Sequence, residues 1–376
     1  MLDLTFTPEQ EMLRETVRGV VATTCPLRVV RELEDDPTGY SPELWKQLAH
    51  LDLIGLQLPE EFGGSGMSTL ETVVLYEEFG RAIAPSPHFV SSILSGGALA
   101  RSGSEEQKQA WLPGIVSGEA VFTPAWLEPE NSSRATGVQV RAVPDGDGWT
   151  ITGIKRHVAF ASAATRLVVL ARTGDAPEDV GLFIVDPGSA GVTLTQQMTI
   201  ASDAQYQVEL AGVRVTEADR IGSAATGWTT WSAVMHEGII LAAAQAVGGA
   251  QYALEITVQY AKDRKQFDKP LGAFQALAHY LADAATNVDG AEVLVHEAAW
   301  ARAEGRPVAK LAPMAKLYAC QTFRDVTAMA QQLFGGIGFT VEFGIQLYFR
   351  RAKQLQLSWW DPRTLEELIA TQVLDS

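Results

Sequence analysis

Glycine, carboxylate and imidazole offer this chain its chemistry. Gly335 and Gly336 sit in the stretch QLFGGIGFTVEFGIQLYFRRAKQLQLSWWDP, residues 332–362. A backbone without side chains turns sharply and can approach a ligand closely. The same pair also reads as a plain helix–helix connection, since such connections are short and common. Glu237 places a carboxylate in the apolar helical run MHEGII. A carboxyl enclosed with a substrate is desolvated and becomes a better proton acceptor near neutral pH; a solvated or interface glutamate is the plain alternative. His157 is a lone imidazole with no carboxylate beside it to orient the ring, and it reads as a surface or packing residue.

The elements that must position these residues follow from period and punctuation. Thr7-Pro8-Glu9-Gln10 is an N-cap, a proline at the first helical position and a capping-box glutamine, followed by apolar residues Leu13, Val17, Val20 and Val21. Ser41-Pro42-Glu43-Leu44 repeats the signal, and LPEEFGGSGMS (58–68) is a glycine-rich loop. Helical patterns resume from Thr69 and again over 104–117. From Val121 the period changes. WTITG, RLVVLAR, VGLFIVDP, GVTLTQ and YQVELAGVRV are short Val-, Ile-, Leu- and Thr-rich runs broken by Gly, Asp and Pro, which predicts a small β-barrel ending near Gly222. Helical spacing then holds to the end, including Gly344–Leu357, which Trp359-Trp360-Asp361-Pro362 stops. The expected fold is mainly α with a central β domain: a helical domain over 1–119, a β domain over 120–223 and a helical bundle over 224–376.

Composition narrows the function classes. A chain of 376 residues predicts two or three folding units. A formal charge of −16 argues against a nucleic-acid backbone as partner, because polyanion binding needs a basic face. Cys25 and Cys320 are far apart, which argues against a disulfide framework or a Cys-based metal site and fits a reducing cytoplasm. No metal ligand set is expected. The opening MLDLTFTPEQEML has no signal-peptide pattern, and the uncharged run Gly238–Leu254 is too short and too polar for a membrane span.

The motifs together resemble the acyl-CoA dehydrogenase family over essentially the whole chain. QLFGGIGF followed by an R-x-A-K helix is similar to the family's C-terminal region, LPEEFGG and EEFGR to its N-terminal hallmarks, and LAGVRVTEADRIG to its exit strand. The resemblance implies an N-terminal helical domain, a middle β-barrel and a C-terminal four-helix bundle, with FAD as cofactor. It implies an acyl-CoA thioester substrate, an electron-transfer flavoprotein or similar acceptor, and a homo-oligomer or a homologous partner subunit. Tyr260 to Phe267 resembles Y-x-x-x-R-x-x-F, so Arg264 would neutralise the pyrophosphate through its bidentate fork. With Phe267, Phe274, Gln275, Gln332, Leu333, Gly335 and Gly336 it would reach the adenosine end of a neighbour's flavin.

Departures from the family pattern are equally specific. The flavin-and-substrate loop T-E-P-G-A-G-S-D is matched by Leu127-Glu128-Pro129-Glu130-Asn131-Ser132-Ser133-Arg134, with Leu127 at the threonine and both glycines gone. W-I-T becomes His157-Val158-Ala159. In Y-E-G-T, whose glutamate removes the α-proton, Trp359 falls at the glutamate, Trp360 at the glycine and Asp361 at the threonine. The family's alternative base position, on the helix containing Thr226–Tyr260, falls on Gly238, one residue after Glu237 and ~100° around the helix. Leu127, Ser133, His157, Ala159 and Asp361 remain candidate cofactor contacts, and Glu237 is the candidate base. Two readings stay open. One is a working dehydrogenase of a small or polycyclic acyl-CoA using Glu237. The other is a partner subunit that completes the FAD site of a catalytic homologue, as in actinobacterial heteromeric acyl-CoA dehydrogenases.

Overall fold

The computed structural model describes residues 6–130 and 133–374. Asn131 and Ser132 of the flavin-loop match lie outside the described residues. Helices come first: α1 (Pro8–Thr24), α2 (Leu27–Glu32), α3 (Pro42–His50), α4 (Thr69–Arg81), a π-helix (Phe89–Gly96) running into α5 (Gly97–Ser102), and α6 (Glu105–Val116). The strands follow: β1 (Phe122–Ala125), β2 (Arg141–Asp145), β3 (Gly148–Ala159), β4 (Arg166–Arg172), β5 (Val180–Val185), β6 (Val192–Gln197), β7 (Gln205–Thr216) and β8 (Arg220–Ile221). The chain then returns to helix with α7 (Gly227–Asp263), the two-residue strands β9 (Lys265–Gln266) and β10 (Lys269–Pro270), α8 (Gln275–Ala303), α9 (Leu311–Phe334), α10 (Ile345–Leu357) and α11 (Pro362–Leu374).

Local chemistry starts the helices where the sequence announces them. Thr7 Oγ1 accepts from the Gln10 amide at 3.3 Å while Gln10 Oε1 accepts from the Thr7 amide at 3.0 Å. Ser41 Oγ accepts from the Leu44 amide at 3.2 Å. Each such cap is worth about 1 kcal/mol.

By contact, the chain forms two compact units. One comprises Met1–Arg31, Ser68–Ala84 and Ile239–Ser376. In it α4 packs on α1 and α8, and α9 packs on α8, α10 and α11. Charges line its helix contacts: Arg18 meets Glu78 at 2.6 Å and Arg81 meets Glu255 at 2.5 Å.

The other unit comprises Glu32–Met67 and Pro85–Gly238 and holds the eight-stranded sheet, ordered β6-β7-β3-β2-β4-β5-β8 with β1 paired to β4. β4 and β5 are buried on both faces, which is why they read as continuous apolar runs. Ile151, Leu167, Val169, Phe183, Val208 and Val213 lie in one core shared by β3, β4, β5 and β7. The antiparallel β3–β7 pair is irregular between Lys155 and Val158. That irregularity puts His157 at a φ of 53°, a left-handed conformation uncommon for any residue with a side chain. The π-helix packs on β1, and the Phe122 amide donates to Ser91 Oγ at 3.1 Å.

α7 passes from this unit into the other as one helix of 37 residues. It is long and apolar enough to cross a membrane by length and composition, yet 72% of its most apolar window is buried inside the protein, as in a core helix.

His88, just before the π-helix, is fully buried and its Nε2 lies 3.0 Å from the Leu53 carbonyl oxygen. Burial pushes the imidazole down to about 4, against the opposite pull of that carbonyl. An unfolded chain takes up this proton below pH 6.5 and the folded chain does not, so stability is lost as pH falls from 6.5 toward about 4. At ~1.4 kcal/mol per pKa unit the loss is roughly 3 kcal/mol. Urea unfolding at pH 7.5 and 4.5 is expected to show a smaller difference for His88→Gln than for the wild type; equal differences would contradict the assignment.

Candidate active site and cofactor surface

In the sheet-containing unit, the loop after β1 is held by a buried ion pair that sequence reasoning did not single out. Lys155 Nζ, with no exposed surface, lies 2.6 Å from Glu128 Oε1 and 3.4 Å from the Trp126 carbonyl oxygen. Glu128 also accepts from the amides of Gln139 at 2.8 Å and Val140 at 3.1 Å. Burial pushes the Lys155 ammonium down to about 8, while the Glu128 carboxylate pulls it up. One signal was present: a lysine between apolar residues on a strand must find a partner or reach solvent.

The candidate flavin contacts nearby are short of polar side-chain atoms. Leu127 and Ala159 are half-buried and have none, and the Ala159 carbonyl accepts from Thr123 Oγ1 at 2.6 Å. His157 is exposed. Its amide donates to Gln197 Oε1 at 2.9 Å and its Nδ1 lies 3.0 Å from Gln205 Oε1, so the neighbouring strands orient the ring. Ser133 is half-buried where the described chain resumes.

Glu237 lies on α7 in this same unit, its Oε1 2.5 Å from an Arg101 guanidinium nitrogen at the end of α5. The two side chains keep 28% and 42% of their exposure, so the pair is reachable from solvent. The next position is closed. A Cβ on Gly238 would lie 2.9 Å from Leu94 Cδ2 and 3.3 Å from Phe89 Cζ, both on the π-helix. The carboxylate this stretch of α7 offers is therefore at 237, and a side chain at 238 requires Leu94 to move.

In the helical unit, aromatic stacking joins the two motifs expected to reach a cofactor. Tyr260, one turn before Arg264, stacks on Phe334 at 4.5 Å, and Phe334 stacks on Phe343 at 4.5 Å. The residue after Phe334 is Gly335, with a φ of 63° and ψ of −136°, a conformation open to glycine and hostile to other residues. No atom lies within 4 Å of a Cβ built on Gly335 or on Gly336. Arg264, Gln275 and Gln332 are exposed, Phe274 is half-buried, and Leu333 is buried in the core. Phe267 is 86% exposed at the tip of the β9–β10 hairpin, where it and Asp268 both have positive φ. Such two-residue turns favour Asn-Gly, so a bulky exposed aromatic there is unexplained by hairpin formation alone.

The turn at the family's usual base keeps a tight backbone anchor. Lys316 on α9 is fully buried and donates to the carbonyl oxygens of Leu355 at 3.1 Å and Trp360 at 2.9 Å. Burial lowers its pKa. Trp359 and Trp360 have φ of 55° and 70°, left-handed values rare for bulky residues. Trp359 is half-buried and Trp360 buried. Asp361 is the N-cap of α11: its Oδ1 accepts from the Thr364 amide at 2.9 Å, ahead of Pro362 in the first turn.

The chain matches the acyl-CoA dehydrogenase N-terminal domain over residues 7–119, the middle domain over 124–213 and the C-terminal domain over 225–358. It is 34% identical to the probable acyl-CoA dehydrogenase YngJ of Bacillus subtilis over 99% of this chain and 100% of that protein. It is 30% identical to the caffeyl-CoA reductase-Etf complex subunit CarC of Acetobacterium woodii, covering 92% and 93% of the two chains. Among solved structures, a chain of the ChsE4-ChsE5 complex from Mycobacterium tuberculosis superposes with a TM-score of 0.91 at 28% identity, over 100% of both chains. This chain belongs to the acyl-CoA dehydrogenase family, whose members are FAD flavoproteins.

FAD is a dinucleotide with an anionic pyrophosphate, which calls for exposed donors and an open backbone. The Arg264 guanidinium and the side-chain amides of Gln275 and Gln332 are exposed donors of the kind an anionic dinucleotide takes, and nothing lies within 4 Å of a Cβ built on Gly335 or Gly336. These residues fit the adenosine side of the cofactor.

The Lys316 anchor generates a prediction. Lys316→Met keeps the stem and removes the ammonium, leaving two buried carbonyls without their charged donor. Stability by chemical denaturation is expected to fall by roughly 2–3 kcal/mol, with a changed near-ultraviolet tryptophan spectrum from the Trp359–Trp360 turn. Unaltered stability and spectrum would show that the turn holds without Lys316.

Proposed function

We propose that this chain is a working subunit of an oligomeric, FAD-dependent acyl-CoA dehydrogenase that desaturates an acyl-CoA thioester between Cα and Cβ, with Glu237 as the base. The observation that carries the reading is the carboxylate on α7, held by Arg101, in a chain that matches the family from residue 7 to residue 358 while carrying Trp359 at the usual glutamate position. FAD, when bound, supplies the two-electron acceptor of the desaturation. Glu237 takes the α-proton, and Arg101 orients its carboxylate. Arg264, Gln275, Gln332 and the Gly335–Gly336 backbone hold the adenosine side of a neighbouring subunit's cofactor, with Phe267 and Phe274 beside them.

We assign the partners on the same basis. An electron-transfer flavoprotein as acceptor is supported by the relative that is a subunit of an Etf complex. Assembly with a second copy or a homologous chain is supported by the likeness to a chain of the ChsE4-ChsE5 complex and by the exposure of Phe267 and Phe339 in the unit that carries Arg264. Domains over 1–119, 120–223 and 224–376 are our division, supported by the three family matches. A cytoplasmic setting is supported by the two buried free thiols, Cys25 and Cys320.

The test is anaerobic bleaching of bound flavin by a panel of acyl-CoA thioesters. Wild type is expected to bleach, and Glu237→Gln to do so at least ~100-fold more slowly, the lower end of general-base contributions. Equal rates would remove Glu237 from the mechanism. Bleaching that appears only on co-expression with a homologous chain carrying its own glutamate would make this chain a lender of cofactor contacts instead.

Flavin content supplies a separate check. Arg264→Ala removes a charge-assisted contact worth about 1.5–3 kcal/mol, so flavin per subunit after dialysis should drop with the melting temperature little changed. Full retention of flavin would return Arg264 to an ordinary exposed helix-end charge.

A further inference from the structure

Side chains from α1, α4 and α8 form a buried polar cluster in the helical unit that no step above uses. Glu77 on α4 and His296 on α8 are 7% and 6% exposed. Glu77 Oε1 lies 2.8 Å from His296 Nε2, and Glu77 Oε2 lies 3.0 Å from Arg14 on α1. Glu292, one helical turn before His296, brings a carboxylate oxygen within 4.8 Å of the facing atoms of both Glu77 and His296. Phe6 closes one side: its ring is 4.7 Å from the His296 ring and 4.5 Å from the Arg14 guanidinium.

Charge decides how such a cluster can exist. Arg14 contributes one positive charge, which Glu11 on α1 also shares at 3.1 Å, and Glu77 and Glu292 contribute two negative ones, so negative charge is in excess. A proton on Glu292 reduces that excess. Two carboxylates this close, away from water, resist being ionised together. Burial first, and the charge of Glu77 second, push the Glu292 carboxyl up; Asp289 on α8 adds to the push, while His296 and Arg14 pull the other way.

We infer that Glu292 keeps its proton where it faces Glu77 across the joint between α4 and α8, and that the joint loosens as that proton leaves with rising pH. With the proton present, a neutral Glu292 faces Glu77. Without it, charge faces charge across the joint, Arg14 is shared between Glu77 and Glu11, and Glu292 must turn toward solvent. The sign is that of a raised carboxyl: the stabilisation is complete below the ordinary carboxyl value of 4.5 and is lost as pH rises through the raised titration.

The experiment uses the full-length protein as purified. Melting temperature is followed from pH 5 to pH 8.5 for wild type and for Glu292→Gln, which keeps the shape and cannot ionise. Relative to the variant, wild type is expected to lose about 1–2 °C across that range, the effect of roughly one pKa unit in a chain of this size. Amide exchange around Glu77 and His296, corrected for intrinsic pH dependence, should quicken at high pH in wild type and not in the variant. Parallel melting profiles would overturn the proposal. Should the variant fold poorly, carboxyl-carbon NMR of wild type reads the proton directly, and a Glu292 carboxyl titrating at its ordinary value would overturn it as well.

Discussion

A lysine ammonium with no water around it must be met by partners where it lies, and this fold contains two that fix the chain at the places that matter. Lys155 meets Glu128 and thereby fastens the loop after β1 onto β3. Lys316 meets two carbonyls and thereby fastens the end of α10 and the turn into α11 onto α9. Desolvating an ammonium costs several kcal/mol, so each arrangement persists only while its partners stay in register. Buried pairs of this kind are weak evidence of net stabilisation. They are strong evidence of position, since removing one partner leaves the other uncompensated.

Position outlasts chemistry at the second of these anchors. The turn there carries two tryptophans in backbone conformations that suit glycine, and the family's glutamate is absent from it. The carboxylate on α7 stands in different surroundings: it is paired with an arginine, and the residue after it is sealed by Leu94. That crowding explains why a one-residue difference in helix register is a chemical matter here, since a side chain at 238 would have to displace Leu94.

What the sequence made legible follows the range of the forces involved. Thr7 with Gln10, and Ser41 with the Leu44 amide, are contacts within one turn, and the residues name them. The order of helices, strands and helices follows from period alone, and so does the burial of β4 and β5. The Gly335 turn was legible because its backbone admits so few other residues. The Lys155–Glu128 pair spans 27 positions and the Lys316–Trp360 bond 44, so neither has a local signature. The π-helix is likewise invisible, because its buried residues have the same apolar types as an ordinary helix and its extra residue per turn is imposed by packing. Glu237 was found as a carboxylate in the right place, but its arginine, 136 positions away, was not.

The unit that holds α1 is assembled from both ends of the chain, Met1–Arg31 at one and Ile239–Ser376 at the other. This arrangement sets the order of events on a ribosome. α1 is made first and packs on α4, which follows soon after, yet α8 to α11, which complete the unit, are made last, so the unit as a whole must wait for them. At 5–20 residues per second the wait is roughly 20–70 s. During that interval Val17 and Val21, buried in the finished fold, have no complete surface to cover them. Such long-range closure is slow and leaves a nascent chain sticky. The first-made part of this unit therefore stays incompletely covered until its last-made part arrives.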